Sequence, residues 1–593
     1  MRQIVQHQLW IVLAAAIVFF TNLGAAGLWD LDEPLYASCA REMLQRGDWV
    51  VPYYNGEIFF DKPPLMFWLM MSCFELFGVN EFAARFWSAV LGIGTALATY
   101  HLGRLLFRAE VGFWAGLAMT STLIFTVSAR AATVDCALTF VTTVAMLLFV
   151  IGCRSFRWGD SCTAAPKCNW LCFALIYACL GVAVLAKGPV GMLLPVASIG
   201  LFLLVMNQPV TVPTVRNETW RGRVAAWLTA VARPFAPRNV LAVVWQMRPL
   251  TGVAIVAAIA LPWYVLVDRQ THGAWLEQFF GKYNLGPFLK PFMGHRGPFF
   301  YHFVAVLIGF FPWAVFLLPT VLQAVRRIRE HHAWRPGYIL LACWLAVFFG
   351  FWSACSTKLP HYVLPAYPAL ALLTGCFLHD WLAEPARVDR WWLRHAGGTL
   401  VFVGVGILVA IPIVAAIFVP GEGLMGLVGL VLVAGGGLFL FYQERGQQRR
   451  MMAAFAVMSV AFVTGIFAFA AVRVDRHQNS AALVQEIRQA DPQPQMAGYR
   501  FLQASMVFYA GEPVPCCDNI QQLNRFLAEA QHPYVVTTRE HAAEVERHFP
   551  GEFRELVCQP RFLRHHEEVL VLARREPVAP PHVAGTMRAG SRQ

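Results

Sequence analysis

Charge is scarce in this chain. Of its 593 residues only 14% are Asp, Glu, Lys or Arg, against roughly 25% in an ordinary soluble protein. With 58% of the residues hydrophobic, a water-soluble globular fold is excluded, and apolar stretches near the membrane-span length of about 20 residues recur along the chain. Nucleotide fingerprints are missing too. There is no P-loop and no dinucleotide-type Gly-rich turn, so the sequence gives no support to a nucleotide-driven reaction. Although 14 cysteines are present, none forms a C-x-x-C metal pair, and most lie inside apolar runs as small hydrophobes. Cys516, Cys517 and Cys558 are the exceptions. They fall in a polar tail, where an oxidising compartment would allow one disulfide and leave one thiol free.

What is present is a series of apolar runs. About thirteen candidate spans follow from the length rule, at 9–28, 82–103, 111–129, 136–153, 169–186, 189–206, 249–267, 299–321, 338–355, 362–381, 398–418, 424–442 and 452–472. The first, Leu9 to Leu28, is too long for a signal-peptide core and lacks a small-residue cleavage site, so it reads as retained. The formal charge of +12 is distributed as a membrane protein distributes it, which argues against nucleic acid. Alternate loops carry Arg104 and Arg108, then Arg154, Arg157 and Lys167, then Arg216 to Arg238, Arg326 to Arg335, Arg387 to Arg394, and Arg445 to Arg450. The positive-inside rule puts those loops and the N-terminus in the cytoplasm. An odd number of spans then puts the C-terminal tail outside. The expected fold is an α-helical polytopic membrane protein with residues 1–472 as its membrane domain and 473–593 as a small external α/β domain. In the tail, Tyr534 to Thr538 and Glu568 to Leu572 read as strands and Arg539 to Arg547 as a helix, while the Pro-, Gly- and Arg-rich end from Pro577 reads as disordered.

Two external segments are more than connectors. Residues 29–81 contain amphipathic stretches, Pro34 to Leu44 and Pro63 to Phe77, that suit interfacial helices. Residues 268–298 hold His272, Lys282, Lys290, His295 and Arg296 among aromatics. On the cytoplasmic side, 207–248 is long and basic. A solvated loop obeying the positive-inside bias explains it more simply than anionic-lipid contact.

Ionisable residues at span ends are costly near lipid and mark functional sites by default. Four clusters qualify, all on the outer side. In Trp29-Asp30-Leu31-Asp32-Glu33-Pro34-Leu35-Tyr36, crowded carboxylates raise one another's pKa unless a cation compensates. They suit a base, a metal ligand or a cation-binding group, and Asp-Glu-Pro equally suits the first turn of a helix. In Asp61-Lys62-Pro63-Pro64 the prolines fix the backbone and present Lys62 at headgroup level, where it fits a lipid phosphate or simply snorkels. Arg130 and Asp135 flank a short apolar loop, with Asp135 able to cap the following helix. The last cluster, Lys358-Leu359-Pro360-His361-Tyr362, suits an anionic headgroup, although Tyr362 also fits an interface anchor. Lys187-Gly188-Pro189 adds one more outward cation.

These motifs, in this order, resemble one family. Leu28 to Tyr36, Asp61 to Leu65, Ala129-Arg130 with Asp135, Leu185 to Pro189, and Lys358 to Pro365 are similar to the bacterial 4-amino-4-deoxy-L-arabinose lipid A transferases, the ArnT family. That family belongs with the protein O-mannosyltransferase-like, GT-C-type glycosyltransferases. The resemblance runs from the first span to about residue 475. It implies a GT-C fold with a periplasmic C-terminal domain in the bacterial inner membrane. The implied reaction passes aminoarabinose from undecaprenyl phosphate to a phosphate of lipid A, which masks negative charge against polymyxin and other cationic peptides. It makes Asp32 and Asp135, with Glu33 beside them, the catalytic carboxylates. Lys62, Tyr36 and Tyr362 would hold the donor phosphate, with Lys358, His361 and Arg130 as further candidates. No cofactor is required. A divalent metal at Asp61 or His295 is compatible with the residues, but no spacing demands one. The expected partners are the lipid-linked aminosugar donor, the lipid A acceptor and membrane lipids, with no nucleic acid. A hexosamine donor, a protein acceptor as in O-mannosyltransferases, and a lipid flippase are the competing readings. The last is disfavoured because transporters gather charge near the bilayer midplane.

Overall fold

The computed structural model describes residues 1–30, 32–153, 168–207, 220, 229, 232–330, 332–385 and 389–575. Chain contacts divide it into two units, Met1–His477 and Gln478–Gln593. Most of the basic stretch 207–248 and the end from Pro577 lie outside the described residues.

The first unit is helical. Ten of its described helices are long and apolar enough to cross a membrane. The thirteen expected ranges are completed by two bent pairs and by Val190–Met206, which has 17 residues. The bends correct the sequence reading, because 111–129 and 299–321 are not continuous helices. Ala109–Thr120 meets Leu123–Arg130 at 64°, and Tyr301–Gly309 meets Trp313–Arg329 at 116°. At the first break the hydroxyls of Thr120 and Ser121 bond back to the Leu117 carbonyl, competing with the helix ladder. At the second, Pro312 has no N–H to continue it. The chain is a multi-pass membrane protein with a small sheet domain at its C-terminal end.

We number the first nine helices: α1 (Arg2–Phe20), α2 (Asp32–Arg46), α3 (Leu65–Phe77), α4 (Glu81–Leu106), α5 (Ala109–Thr120), α6 (Leu123–Arg130), α7 (Asp135–Gly152), α8 (Trp170–Lys187) and α9 (Val190–Met206). α2 and α3 fall on the two amphipathic stretches of the 29–81 segment. Between them lies a hairpin, β1 (Tyr53–Tyr54) and β2 (Glu57–Ile58), that the sequence reading missed. Its turn is Asn55-Gly56, both with positive φ, which is the favoured two-residue hairpin turn. Glu42 of α2 accepts from both turn amides, at 2.6 and 3.0 Å. Within the bundle, a Cβ on Gly103 of α4 would lie 2.5 Å from Gly112 of α5; small residues allow such backbone approach.

One buried ion pair ties these elements together. Glu33 lies one residue into α2, and Arg85 sits in α4. Arg85 Nε and Nη2 donate to the two Glu33 oxygens at 2.9 and 2.8 Å. The guanidinium also donates to the carbonyls of Leu23, Ala26 and Gly27 at 3.1, 2.7 and 2.7 Å. Glu33 in turn accepts from the backbone amides of Trp29 and Ala132 at 3.0 and 2.8 Å. The segment after α1, the start of α2, α4 and the link before α7 thus meet at one pair. Burial alone would raise the Glu33 carboxyl, but the Arg85 charge and the hydrogen bonds outweigh it and hold the group below its ordinary value.

The second unit is a five-stranded sheet in the order β4-β3-β5-β7-β6. β3 (Gln495–Tyr499) runs parallel to β4 (Cys516–Cys517) and β5 (Pro533–Thr538), while β6 (Phe553–Arg561) and β7 (Arg564–Arg574) close it antiparallel. Both expected strands are present, and a helix spans Arg539–His548. Its core gathers Tyr499, Val535, Leu523, Leu527, Val545 and Leu570. Cys516, Cys517 and Cys558 are free thiols.

Removing one partner of a buried, fully bonded pair leaves an uncompensated charge, at a cost of roughly 3–5 kcal/mol. Arg85→Met should therefore lower the thermal midpoint of the detergent-solubilised protein sharply; an unchanged midpoint would contradict the anchoring role. Because the folded Glu33 pKa lies below the unfolded one, its stabilisation is complete above the ordinary glutamate value and is lost as pH falls through the folded value. An unfolding titration should show that acid loss in the native chain and not in Glu33→Gln.

Candidate functional site

Asp32 and Glu33 are neighbours with opposite fates. Successive helical residues point about 100° apart, while i and i+4 share a face. Glu33 therefore turns into the bundle toward Arg85. Asp32 and Tyr36 share another face of α2, where Lys62 Nζ lies 6.0 Å from the centroid of the Tyr36 ring. Lys62 is also paired with Asp61 at 2.7 Å. Asp32 is exposed, yet protein surrounds it closely enough for desolvation to push its carboxyl above the ordinary aspartate value. Lys62 and Lys187 oppose that shift, while Asp135 and Asp61 add to it. Two lysines and three carboxylates thus act on one another across this end of the bundle.

The second half of the cluster comes from three helix ends. Asp135 is the first residue of α7, one position inside the N-cap Val134, which makes no side-chain cap bond. Asp135 Oδ1 accepts from Lys187 Nζ at 2.5 Å, and its Oδ2 lies 3.8 Å from His361 Nε2. Lys187 is the last residue of α8. Gly188 follows with φ +75°, a conformation suited to glycine, and Pro189 precedes α9. This tight turn fixes the end of α8 and with it the lysine. His361 and Tyr362 lie in the 3₁₀ turn Pro360–Ala366. Lys187 Nζ also lies 5.2 Å from the Tyr362 ring centroid, and that ring packs on Trp352 at 4.2 Å. The Asp135 side chain is 14% exposed and that of Lys187 15%, so the pair is largely withdrawn from solvent without being sealed.

Not every expected residue joins this cluster. Glu33 is committed to Arg85. Arg130 donates to the carbonyls of Val18, Phe19 and Asn22 at 2.8, 2.9 and 3.3 Å, closing the C-terminal end of α1. Lys358 donates to the carbonyls of Trp352, Ser353 and Cys355 at 3.0, 2.6 and 2.5 Å. It caps the helix Arg335–Ala354, where a cation favours the carbonyl end. Among the described residues no three His, Cys, Asp or Glu side chains are grouped to hold a metal; Asp61 pairs with Lys62, and His295 is exposed. Conversely, Lys187 is part of the cluster, although the sequence marked it only as an outward cation. Its partner is 52 residues away in sequence, a separation that no local pattern spans.

The arrangement offers cations for phosphate and carboxylates for a cationic or hydroxylated substrate, all at one end of a membrane bundle. Residues 7–276 match the family model for dolichyl-phosphate-mannose-protein mannosyltransferase. The chain is 27% identical over 374 residues to an uncharacterized protein of Aquifex aeolicus, covering 63% of this chain and 64% of that one. It is 29% identical over 434 residues to the undecaprenyl phosphate-alpha-4-amino-4-deoxy-L-arabinose arabinosyl transferase of Pectobacterium carotovorum, covering 72% of this chain and 69% of that one. The crystal structure of ArnT from Cupriavidus metallidurans bound to undecaprenyl phosphate superposes with a TM-score of 0.74 at 22% identity, over 97% of this chain and 99% of that one. In fold and sequence the chain is similar to the ArnT-like GT-C glycosyltransferases.

Proposed function

We propose that the enzyme transfers 4-amino-4-deoxy-L-arabinose from undecaprenyl phosphate to a phosphate of lipid A, at the periplasmic face of the inner membrane. The observation that carries this reading is the convergence of Asp32, Lys62, Asp135, Lys187 and His361 at one end of the bundle. The basic loops of the sequence, read by the positive-inside rule, leave that end and the C-terminal unit in the periplasm. An outward site meets no nucleotide sugar, so a lipid-linked donor is the natural one. The sugar's ammonium and two phosphates demand both signs of charge, and this cluster has both.

In the proposed reaction an acceptor phosphate oxygen attacks the anomeric carbon. The bond from that carbon to the carrier phosphate breaks, and undecaprenyl phosphate leaves with the electron pair. A single displacement inverts the anomeric centre. The acceptor is already an anion, so little base catalysis is needed. The barrier lies in holding two phosphates together and in stabilising the departing one. Lys62, with Tyr36 beside it, supplies positive charge to the leaving phosphate, an effect of about 3–4 kcal/mol per well-placed donor in a dry site. Asp32 binds the sugar's ammonium. Asp135 is held by Lys187 and His361.

The match to the mannosyltransferase model over residues 7–276 favours one second reading, transfer to a protein hydroxyl. That chemistry needs a base, and the raised Asp32 carboxyl is the group to supply it. A hexosamine donor would keep the same mechanism.

Mass spectrometry of lipid A from cells making this chain, with the donor pool present, should show a phosphate-linked gain of one aminopentose. Asp32→Asn and Lys62→Ala should each reduce it sharply. Unmodified lipid A alongside newly glycosylated secreted protein would overturn the proposal in favour of the second reading. Because burial raises the Asp32 carboxyl and its anion is the working form, kcat/KM should fall on the acid side at a pH above the ordinary aspartate value of 3.8. The residual rate of Asp32→Asn should lack that limb, and an identical limb in this variant would assign it to another group.

A further inference from the structure

The ends of α7 and α8 opposite Asp135 and Lys187 carry a group of thiols that the proposed reaction does not use. Cys153 caps the C-terminal end of α7, and Cys168 stands just before Asn169, the N-cap of α8. The two helix ends meet directly. The Asn169 amide donates to the Gly152 carbonyl at 3.4 Å, and Cys168 Sγ lies 4.0 Å from the Phe149 carbonyl oxygen. Gly152 lets the sulfurs in, because a Cβ there would lie 2.4 Å from Cys168 Sγ and 2.8 Å from Cys172 Sγ. Both sulfurs therefore crowd one point at the end of α7. Cys153 and Cys172 each hydrogen-bond Cys168.

The three thiols are not alike. Cys153 is fully buried, whereas Cys168 and Cys172 are partly exposed. The hydrogen bond from Cys153, with others from Cys172 and the Asn169 amide, outweighs burial and holds Cys168 below the ordinary thiol value. The same bond and burial raise Cys153. A partly exposed thiol of lowered pKa beside a second thiol is the arrangement on which oxidants act selectively. Among the described residues no such trio is grouped to hold a metal. Read by the positive-inside rule, Arg154, Arg157 and Lys167 put this end in the cytoplasm. Thiols are kept reduced there, and disulfides are as a rule transient and redox-sensing.

We infer that Cys168 and Cys153 form a reversible oxidation site, at which hydrogen peroxide ties α7 to α8 by a disulfide. In the first step the Cys168 thiolate attacks one peroxide oxygen. An S–O bond forms, the O–O bond breaks, and the departing hydroxide takes up a proton as water. In the second step the Cys153 sulfur attacks the Cys168 sulfur. The S–S bond forms, the S–O bond breaks, and hydroxide leaves with the Cys153 proton as water. Two thiols lose two electrons, and one peroxide becomes two waters. Small cytoplasmic thiols reverse the bond by exchange. The disulfide would join the same two helices whose opposite ends hold Asp135 on Lys187. The site is independent of the proposed transfer and of the sugar or acceptor taken.

The test uses the full-length chain in its membrane. Cells making it are quenched with N-ethylmaleimide, with and without a brief exposure to hydrogen peroxide, and the protein is digested with trypsin for mass spectrometry. Cleavage after Arg130, Arg154, Lys167 and Lys187 leaves Cys153 and Cys168 on separate peptides, 131–154 and 168–187, which only a disulfide joins. Fragmentation assigns the bonded sulfurs. Both residues should be alkylated in unstressed cells, the linked pair should appear after peroxide, and dithiothreitol should remove it. Cys168→Ser should abolish the pair, and Cys153→Ser should leave on Cys168 a sulfenic acid that dimedone traps. If the buried Cys153→Ser fails to fold, the linked peptide of the wild-type chain decides. The oxidised wild type should also melt at a higher temperature than the reduced protein, a shift absent from Cys168→Ser. A pair already linked in unstressed cells would make the bond structural and overturn the proposal. So would thiols still alkylated after peroxide, or a bond from Cys168 to Cys172 or Cys162.

Discussion

The candidate site depends on a contact that lies outside the charged cluster, the buried Glu33–Arg85 pair. Glu33 and Asp32 are adjacent, so the direction of one sets the direction of the other. With both Glu33 oxygens on Arg85 and on the amides of Trp29 and Ala132, α2 cannot rotate about its axis without leaving a charge unpaired in the bundle. The Ala132 amide extends the constraint to α7, whose first residue, Asp135, follows three positions later. One ion pair thus orients the helix starts that carry both site carboxylates. Buried pairs are weak evidence for stability in general, since well-packed apolar residues often do as well. Here the value lies in the geometry, because an apolar replacement would not fix the rotation of α2.

The site also shows how a membrane enzyme assigns its few charges. Cations at helix C-termini satisfy orphan carbonyls, which is where Arg130 and Lys358 act. Cations facing carboxylates hold them ionised in a poor solvent, which is the position of Lys187. Lys62, whose carboxylate partner Asp61 is its neighbour in sequence, is the cation of the cluster proposed to face a substrate phosphate. Such a division cannot be guessed from residue type, since lysine or arginine fills all three roles.

That explains which parts of the sequence were legible. Spans were visible because a bilayer imposes one length and one polarity on every helix that crosses it. α2 and α3 were visible from their amphipathic patterns, and Asp32, Lys62, Asp135 and His361 from the rarity of charge near lipid. The 64° and 116° bends were not visible, because hydropathy averages over a kink. Asn55-Gly56 was a readable hairpin signal, but the strands beside it are two residues each, too short to show alternation. The Asp135–Lys187 and Glu33–Arg85 pairings are long-range, and composition carries no information about which helix ends meet. The sequence flagged a crowded acidic run at 30–33 but could not say which carboxylate joins the charged cluster.

The central claim is that neighbouring carboxylates divide the work, Asp32 serving the reaction and Glu33 the fold. Purified Asp32→Asn and Glu33→Gln, compared side by side for thermal midpoint and for single-turnover transfer from undecaprenyl phosphate-linked aminosugar, test it directly. The account predicts that Asp32→Asn keeps the wild-type midpoint and loses transfer, whereas Glu33→Gln unfolds at a markedly lower temperature. A stable Glu33→Gln that has lost transfer, beside an Asp32→Asn that still turns over, would contradict it.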